Sequence, residues 1–351
     1  MSEASSIVTL PVHTRPRDTL NRPLHDLRIS VMDRCNFRCP YCMPRETFHE
    51  HYRFLKSTER LSFEEITRLT RLFVQLGVQK VRLTGGEPLL RPNISELVGE
   101  LTALEGVRDV ALTTNGVLLA QHAAELKANG LHRITVSLDT LDAEIFKQMS
   151  GGFAERDRVL DGIRAARDAG LAPIKINCVV ERGLNDHTVL DLVDSFRGTG
   201  VIVRFIEYMD VGTRNQWSRE RVVASRELLE RIGARWPLHA VEENYHGEVA
   251  ERYVFDDGSG EVGFISSVSN PFCGSCTRAR LSSEGVFYTC LFARNGLDLR
   301  APLREGAGDD ELRSLISTTW SRRGDRYSEL RASLHAGEQP LRKIEMYYIG
   351  G

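Results

Sequence analysis

The chain alternates between two hydrophobic periods. Short runs rich in Val, Ile and Leu, with apolar residues at every second position or unbroken, predict strands at 27–31, 78–83, 107–113, 132–138, 174–180 and 201–207. Between them, apolar residues three and four apart predict helices at 94–104, 118–127, 156–169 and 188–196. The best signposted helix precedes the second strand. Ser62 and Glu65 form a capping box, Phe63, Ile66, Leu69, Phe73 and Leu76 share one face, and Gly77 is a stop. Six strand–helix units make an α/β fold with a parallel sheet, either an incomplete TIM-like barrel or, as the alternative, a doubly wound sheet.

Ligands gather at the carboxyl ends of such strands, and the notable polar motifs fall there. A C-x3-C-x2-C loop, Cys35, Cys39 and Cys42, follows strand one, and Gly85-Gly86-Glu87 follows strand two. Thr113-Thr114-Asn115-Gly116 follows strand three, Ser137-Leu138-Asp139 closes strand four, Lys175 and Asn177 lie within strand five, and Met209 lies just past strand six. Past Asp210 the alternation ends, so three regions are expected: an N-terminal arm over 1–24, the partial barrel over 25–210 and a smaller α+β domain over 211–351. That domain should hold a helix near 225–232, strands at 252–255 and 263–267, a hairpin over 280–288 and a helix at 309–320 capped by Asp309 and Asp310. The hairpin would bring Cys290 back beside Cys273 and Cys276.

Composition narrows the classes. At 351 residues, one large domain and a smaller one are the natural prior. Lys and Arg number 46 against 48 Asp and Glu, a balance that argues against a bulk nucleic-acid binder but leaves anionic small molecules open. No signal-peptide or membrane-length apolar run is present, so the chain reads as cytoplasmic, and its seven cysteines point to metal or redox chemistry over disulfides. Each cysteine cluster offers three thiolates where a four-iron cluster wants four ligands, which leaves one iron open. A zinc site stays open for both clusters on ligand type, with His49 or His51 able to complete the first. Cys178 reads as packing on strand five. Arg278 and Arg280 fall on one side of an extended segment, suited to phosphate oxygens or, more blandly, to a solvated edge strand. Arg28, Lys80, Arg82 and Lys175 lie on strands leading to the same rim.

The cysteine loop with Tyr41 before its last thiol, followed by Leu83-Thr84-Gly85-Gly86-Glu87-Pro88, resembles the radical S-adenosylmethionine superfamily. Asp33-Arg34-Cys35-Asn36, Thr113-Thr114-Asn115-Gly116, Cys273-x2-Cys276-Thr277-Arg278-Ala279-Arg280 and the terminal Gly350-Gly351 extend the resemblance to its nucleotide-cyclising family, which opens molybdenum cofactor biosynthesis. Met32 departs from the usual Thr, and the N-terminal arm is left unexplained. The resemblance implies a lyase with two [4Fe-4S] clusters, one on Cys35, Cys39 and Cys42, the other on Cys273, Cys276 and Cys290. It implies S-adenosylmethionine at Tyr41, Gly86, Glu87, Ser137 and Met209, and GTP at Arg28, Lys80, Arg82, Thr113, Lys175, Arg278 and Arg280. A 5′-deoxyadenosyl radical would take the ribose 3′ hydrogen of GTP, and the carbon radical would close on C8 of the purine. The resemblance also implies a homodimer, an electron donor of flavodoxin or ferredoxin type, and a downstream partner, cyclic pyranopterin monophosphate synthase. Two rivals are another radical enzyme with an auxiliary cluster, of peptide-modifying type, and a zinc-stapled nucleotide-binding module.

Overall fold

The computed structural model describes residues 15–152, 155–334 and 343–350. In chain order the first part comprises β1 (Asp26–Ser30), α1 (Phe63–Gln75), β2 (Lys80–Thr84), α2 (Ile94–Thr102), β3 (Asp109–Thr114), α3 (Leu119–Ala128), β4 (Arg133–Ser137), α4 (Ala143–Met149), α5 (Arg156–Asp168), β5 (Ile174–Val180), α6 (Val189–Phe196) and β6 (Ile202–Glu207). Strands β1 to β6 pair in sequence order and all in parallel, while β1 and β6 do not meet. This is an incomplete (βα)6 TIM-like barrel. The capping box of α1 forms as expected, with Ser62 Oγ accepting from Glu65 N. Helix α4 was not anticipated; Asp142 caps it by accepting from Glu144 N and Ile145 N.

After β6 come α7 (Ser225–Arg235), β7 (Leu238–Val241), β8 (Glu251–Phe255), β9 (Glu261–Ile265), β10 (Arg278–Leu281), β11 (Val286–Tyr288), β12 (Leu297–Asp298), α8 (Arg300–Arg304), α9 (Asp309–Ser321), α10 (Tyr327–Leu334) and α11 (Met346–Ile349). These strands extend both edges of the barrel sheet. Strand β10 lies parallel to β1, and β9 lies parallel to β6, giving the order β12-β11-β10-β1-β2-β3-β4-β5-β6-β9-β8-β7. The cap of α9 differs from expectation. Gly308 is its N-cap, without a side-chain bond, and Asp309 and Asp310 fall inside the first turn. There they complement the helix dipole instead. The expected loose arm is ordered where described: Arg17 bridges Pro23, while residues 1–14 lie outside the described residues.

Alternation along each strand sorts the side chains. Leu27, Ile29, Leu83, Val110, Leu112, Ile134, Val136, Ile176, Cys178 and Phe205 are fully buried on the face that meets the helices. Each such aliphatic contributes about 1.5–3 kcal/mol. Residues of the opposite parity face the lumen, among them Arg28, Arg82, Thr113, Thr135, Lys175, Asn177 and Arg204. A closed barrel normally fills its interior with branched apolar side chains. Here the lumen is polar and cationic, which makes it a binding space.

Candidate active site

The first cysteine loop is pinned by the Gly-Gly-Glu stretch beside it. Gly86 N donates to Met32 O at 2.6 Å and Glu87 N to Arg34 O at 2.7 Å. A Cβ on Gly86 would stand 2.2 Å from Arg34 O, so only glycine lets the two backbones approach this closely. The Glu87 carboxylate turns away from the loop. It accepts from Leu89 N, Thr114 Oγ1 and Asn115 N at 2.7–2.9 Å, tying the end of β2 to the end of β3. Burial pushes it up to about 7 despite those donors. Asn115, in the polar motif that follows strand three, donates to Asn36 Oδ1 at 2.6 Å and reaches Cys35 Sγ at 3.7 Å. Tyr41 OH donates to Asp139 Oδ2 at 2.9 Å, and Asp139 Oδ1 accepts from Val179 N, so the far end of the loop hangs from β4 and β5. Ser137 ends β4 opposite Asn177.

All seven cysteines are free thiols. Burial first, then the Glu87 carboxylate, pushes Cys35 up to about 12, and burial with its neighbours Cys35 and Cys42 pushes Cys39 well up. Three crowded thiols that resist ionisation together are a donor set that a metal centre's own positive charge would deprotonate. Phe37 N donates to Cys35 Sγ at 3.3 Å. Among the described residues no three His, Cys, Asp or Glu side chains converge on a single metal ion. His49 and His51 are exposed and pair with each other, so the zinc site they were to complete is not assembled. A four-iron cube spreads its thiolates more widely than one ion does and suits the loop. Cys178 is fully buried, its thiol donating to Asp139 O, as expected of packing.

A second triad lines the lumen. Cys273 and Cys276 bracket a single tight turn, and Cys290 follows β11, with Phe292 N donating to its sulfur at 3.4 Å. Cys276 is half-buried, and although desolvation opposes its ionisation, Arg278 and Arg323 hold it down to about 6. These three cysteines share one cavity with Arg28, Lys80, Arg82, Thr113, Lys175, Met209, Arg278 and Arg280. Cys35, Cys39, Cys42, Tyr41, Gly86, Glu87 and Ser137 are not in its lining; they belong to the neighbouring loop region. Strand β10 is paired on both sides and Arg280 is buried, so the Arg pair is no solvated edge. Arg280, Arg28 and Arg82 stand directly opposite one another on β10, β1 and β2. Like charges so placed repel. Burial, then Arg280, Arg82 and Arg278, drive Arg28 well below its ordinary value, and burial and neighbouring Arg133 and Arg204 bring Lys175 down to about 8.

Several lining residues escaped sequence reasoning. Arg133 and Arg204 sit at inward positions of β4 and β6, and strict alternation would have flagged them. Tyr245 comes from the loop before β8 and carries the Lys80 ammonium 3.4 Å above its ring, with no sequence signal. The chain terminus also enters: Met346 lines the cavity, Tyr347 packs against Phe48, and Arg280 Nη1 donates to Gly350 O. Gly351 lies outside the described residues.

Comparison with known proteins agrees with this layout. The Radical SAM superfamily profile matches residues 29–196, and the profile described as Molybdenum Cofactor Synthesis C matches 201–329. A GTP 3′,8-cyclase of Xanthomonas axonopodis pv. citri is 55% identical over 335 residues, covering 95% of this chain and 98% of the relative. The chain belongs to the GTP 3′,8-cyclase family. The cyclase of Acidothermus cellulolyticus is 50% identical across 96% of this chain and all of the relative, and that of Staphylococcus epidermidis is 45% identical across 95% and 98%. Solved Streptococcus suis SuiB bound to S-adenosylmethionine aligns with a TM-score of 0.56 at 17% identity, over 85% of this chain and 69% of that one, and shows the fold. Membership makes the chain a radical S-adenosylmethionine enzyme of molybdenum cofactor biosynthesis with a [4Fe-4S] cluster. Among the described residues no helix is long and apolar enough to cross a membrane.

Proposed function

We propose that the chain converts GTP to (8S)-3′,8-cyclo-7,8-dihydroguanosine 5′-triphosphate, with S-adenosylmethionine bound at the first cysteine loop. The observation that carries this reading is the row Arg280–Arg28–Arg82, three inward guanidiniums on adjacent strands beside Lys175 and Arg204, facing three thiols. Such a row is costly unless a polyanion fills it, and planar guanidiniums bind phosphate oxygens bidentately.

Cys35, Cys39 and Cys42 would hold the first cluster, with Tyr41, Gly86, Glu87, Ser137 and Met209 shaping the S-adenosylmethionine site. Cys273, Cys276 and Cys290 would hold a second [4Fe-4S] cluster on the guanine side. Bound there, the cluster and S-adenosylmethionine supply one-electron chemistry, the reductive release of a 5′-deoxyadenosyl radical. The chain's own work is placement. Arg28, Lys80, Arg82, Thr113, Lys175, Arg278 and Arg280 grip the triphosphate, and the second triad fixes the base. Two-point anchoring holds C3′ and C8 in bonding range. Met346 lines the lumen and Tyr347 packs on Phe48, so the chain terminus would help to shield the intermediate from water. A homodimer, a flavodoxin- or ferredoxin-type donor, cyclic pyranopterin monophosphate synthase as the next enzyme and a cytoplasmic setting belong to the same reading, as does a boundary near 210 between barrel and cluster-binding part.

The test uses GTP deuterated at C3′, with anaerobically iron-loaded protein, dithionite and S-adenosylmethionine. Breaking C3′–D sends deuterium to 5′-deoxyadenosine, C3′ bonds to C8, and one electron and one proton from the medium complete the product. Mass spectrometry should find 5′-deoxyadenosine heavier by one deuterium. Unlabelled 5′-deoxyadenosine beside unchanged GTP would refute the reading.

A further inference from the structure

The segment before β1, which family likeness leaves unexplained, is bonded to the second cysteine triad. Asp18, Arg22 and Arg323 are 6%, 2% and 4% exposed, so this is a buried ion network. Asp18 accepts from Arg22 Nε at 2.5 Å and from Arg323 Nη1 at 3.3 Å, and also from the backbone N–H groups of Leu20 and Arg22. Each guanidinium then reaches the Cys273–Cys276 turn. Arg22 Nη1 donates to Cys273 O at 2.6 Å, Arg323 Nη1 donates to Cys276 O at 2.7 Å, and Arg323 Nη2 donates to Cys276 Sγ at 3.1 Å. Trp320 Nε1 bonds Arg22 O, and its ring lies 4.5 Å from the Arg323 guanidinium, which fixes both cations against α9. Arg22 Nη2 is buried without an acceptor, on a residue that lines the cavity beside Cys273 and Cys276.

A turn needs no such apparatus merely to fold; Cys276 N already closes it on Cys273 O. Two carbonyls and one sulfur receive three hydrogen bonds from two fixed cations in a place with little water. One carboxylate sets the position of both cations. Hydrogen bonds to cluster sulfurs and nearby charge are levers on reduction potential, and a donor to a thiolate favours the more reduced, more negative form.

We infer that Arg323, held by Asp18 together with Arg22, is a positioning residue for the second cluster that raises its reduction potential through the Cys276 sulfur. The inference rests on the proposed second cluster. It assigns the 17–23 segment a role in that centre, not in the barrel.

The experiment isolates the two claims. Full-length protein carrying Cys35→Ala, Cys39→Ala and Cys42→Ala retains the second triad alone. It is loaded anaerobically, assayed for iron, and titrated with dithionite while the reduced one-electron signal is followed by electron paramagnetic resonance. Four irons per chain are expected. Finding none would overturn the second-cluster reading and the tuning role with it. In this background Arg323→Gln should shift the midpoint to a more negative value, and Arg323→Lys, which keeps the charge without the fork, should restore part of the shift. Arg22→Gln, which removes the cation bonded to the Cys273 carbonyl, should shift it in the same direction by less, and it reports on the network if the Arg323 variants fail to fold. Four irons with a midpoint equal to the parent's would overturn the tuning role alone. So would a loss of iron with the remaining centres titrating as in the parent, because a merely structural residue behaves that way.

Discussion

Arg82→Met tests whether the lumen is built for a polyanion, because nucleotide binding should fall steeply while ligand-free stability barely moves. Arg82 Nη1 donates to Thr113 Oγ1 at 3.0 Å and Thr135 Oγ1 at 3.1 Å, both neutral acceptors, and no carboxylate contacts it among the described residues. Burial and then Arg133 lower its pKa, and it stands opposite Arg28 on the next strand. Removing the guanidinium should lose a charge-assisted phosphate contact worth about 1.5–3 kcal/mol, or roughly ten- to a hundredfold in GTP dissociation constant. Nucleotide-free protein loses two neutral hydrogen bonds, about 1 kcal/mol each. It is relieved of a partly desolvated like-charge contact, and replacing buried ions by apolar side chains often stabilises by about 1–4 kcal/mol. The net lies between about 1 kcal/mol lost and about 2 kcal/mol gained, so the ligand-free melting temperature should stay within about 4 °C of the parent's. Calorimetric titration and thermal melting of the same preparation decide it. GTP affinity should fall while guanosine affinity holds, and the ligand-free melting point should barely move. A lower melting point with unchanged preference for GTP over guanosine would show that Arg82 is an ordinary structural cation and that the triphosphate sits elsewhere.

Other substitutions separate the parts. Gly86→Ala places a Cβ against Arg34 O and Cys35 N, so the cysteine loop must move; iron at the first site should be largely lost while the second triad keeps its own, as counted by iron assay. Cys178→Ala should leave iron content unchanged and cost about 1–2 kcal/mol of stability, and a loss of four irons would expose it as a ligand. Lys80 and Lys175 both lie near 8 without ligand, with burial as the first cause. A bound polyanion favours their charged forms, so affinity from these groups is full below about 8 and weakens as pH rises above it. Titrations in buffers of different ionisation enthalpy should show protons taken up on GTP binding at pH 8–9 and little uptake at pH 6.5; equal uptake at both would refute the pairing. The same depression leaves the unfolded lysines holding more protons between about 8 and 10.5. Nucleotide-free stability should therefore gain from these two groups as pH rises through that window.

The barrel was legible because its signal is local. Each of the six strands was expected within two residues of its observed start, since alternation from Asp26 to Glu207 is set by which face meets the helices. The cysteine triads and the Arg28, Arg82 and Arg280 positions were legible because their chemistry is written in residue type and short spacing. What escaped depends on contacts far apart in sequence. That Glu87 serves the end of β3, that Asn115 serves the cysteine loop, and that Tyr245 cradles Lys80 are facts about segments that meet only when the sheet forms. Asp142 was a local cap that was overlooked, so α4 is a reading error, not a physical limit.

The sheet order explains how the second triad comes to line the lumen. The six strands leave the barrel open, since β1 and β6 do not meet, and each open edge is a row of unpaired backbone groups that must be covered. Strand β9 covers β6, and β10 covers β1, so both flanking strands are forced into register with the barrel. The register of β10 sets Arg280 beside Arg28 and Arg278 beside Asp26, and the turn bearing Cys273 and Cys276 ends two residues before it. Covering the edge and delivering the second triad are therefore one structural event. Slipping β10 by one residue would turn Ala279 inward and both arginines toward the helices. The alternation Arg278-Ala279-Arg280-Leu281 forbids that slip, because it would bury two guanidiniums against the apolar face where Leu27 and Ile29 lie fully buried.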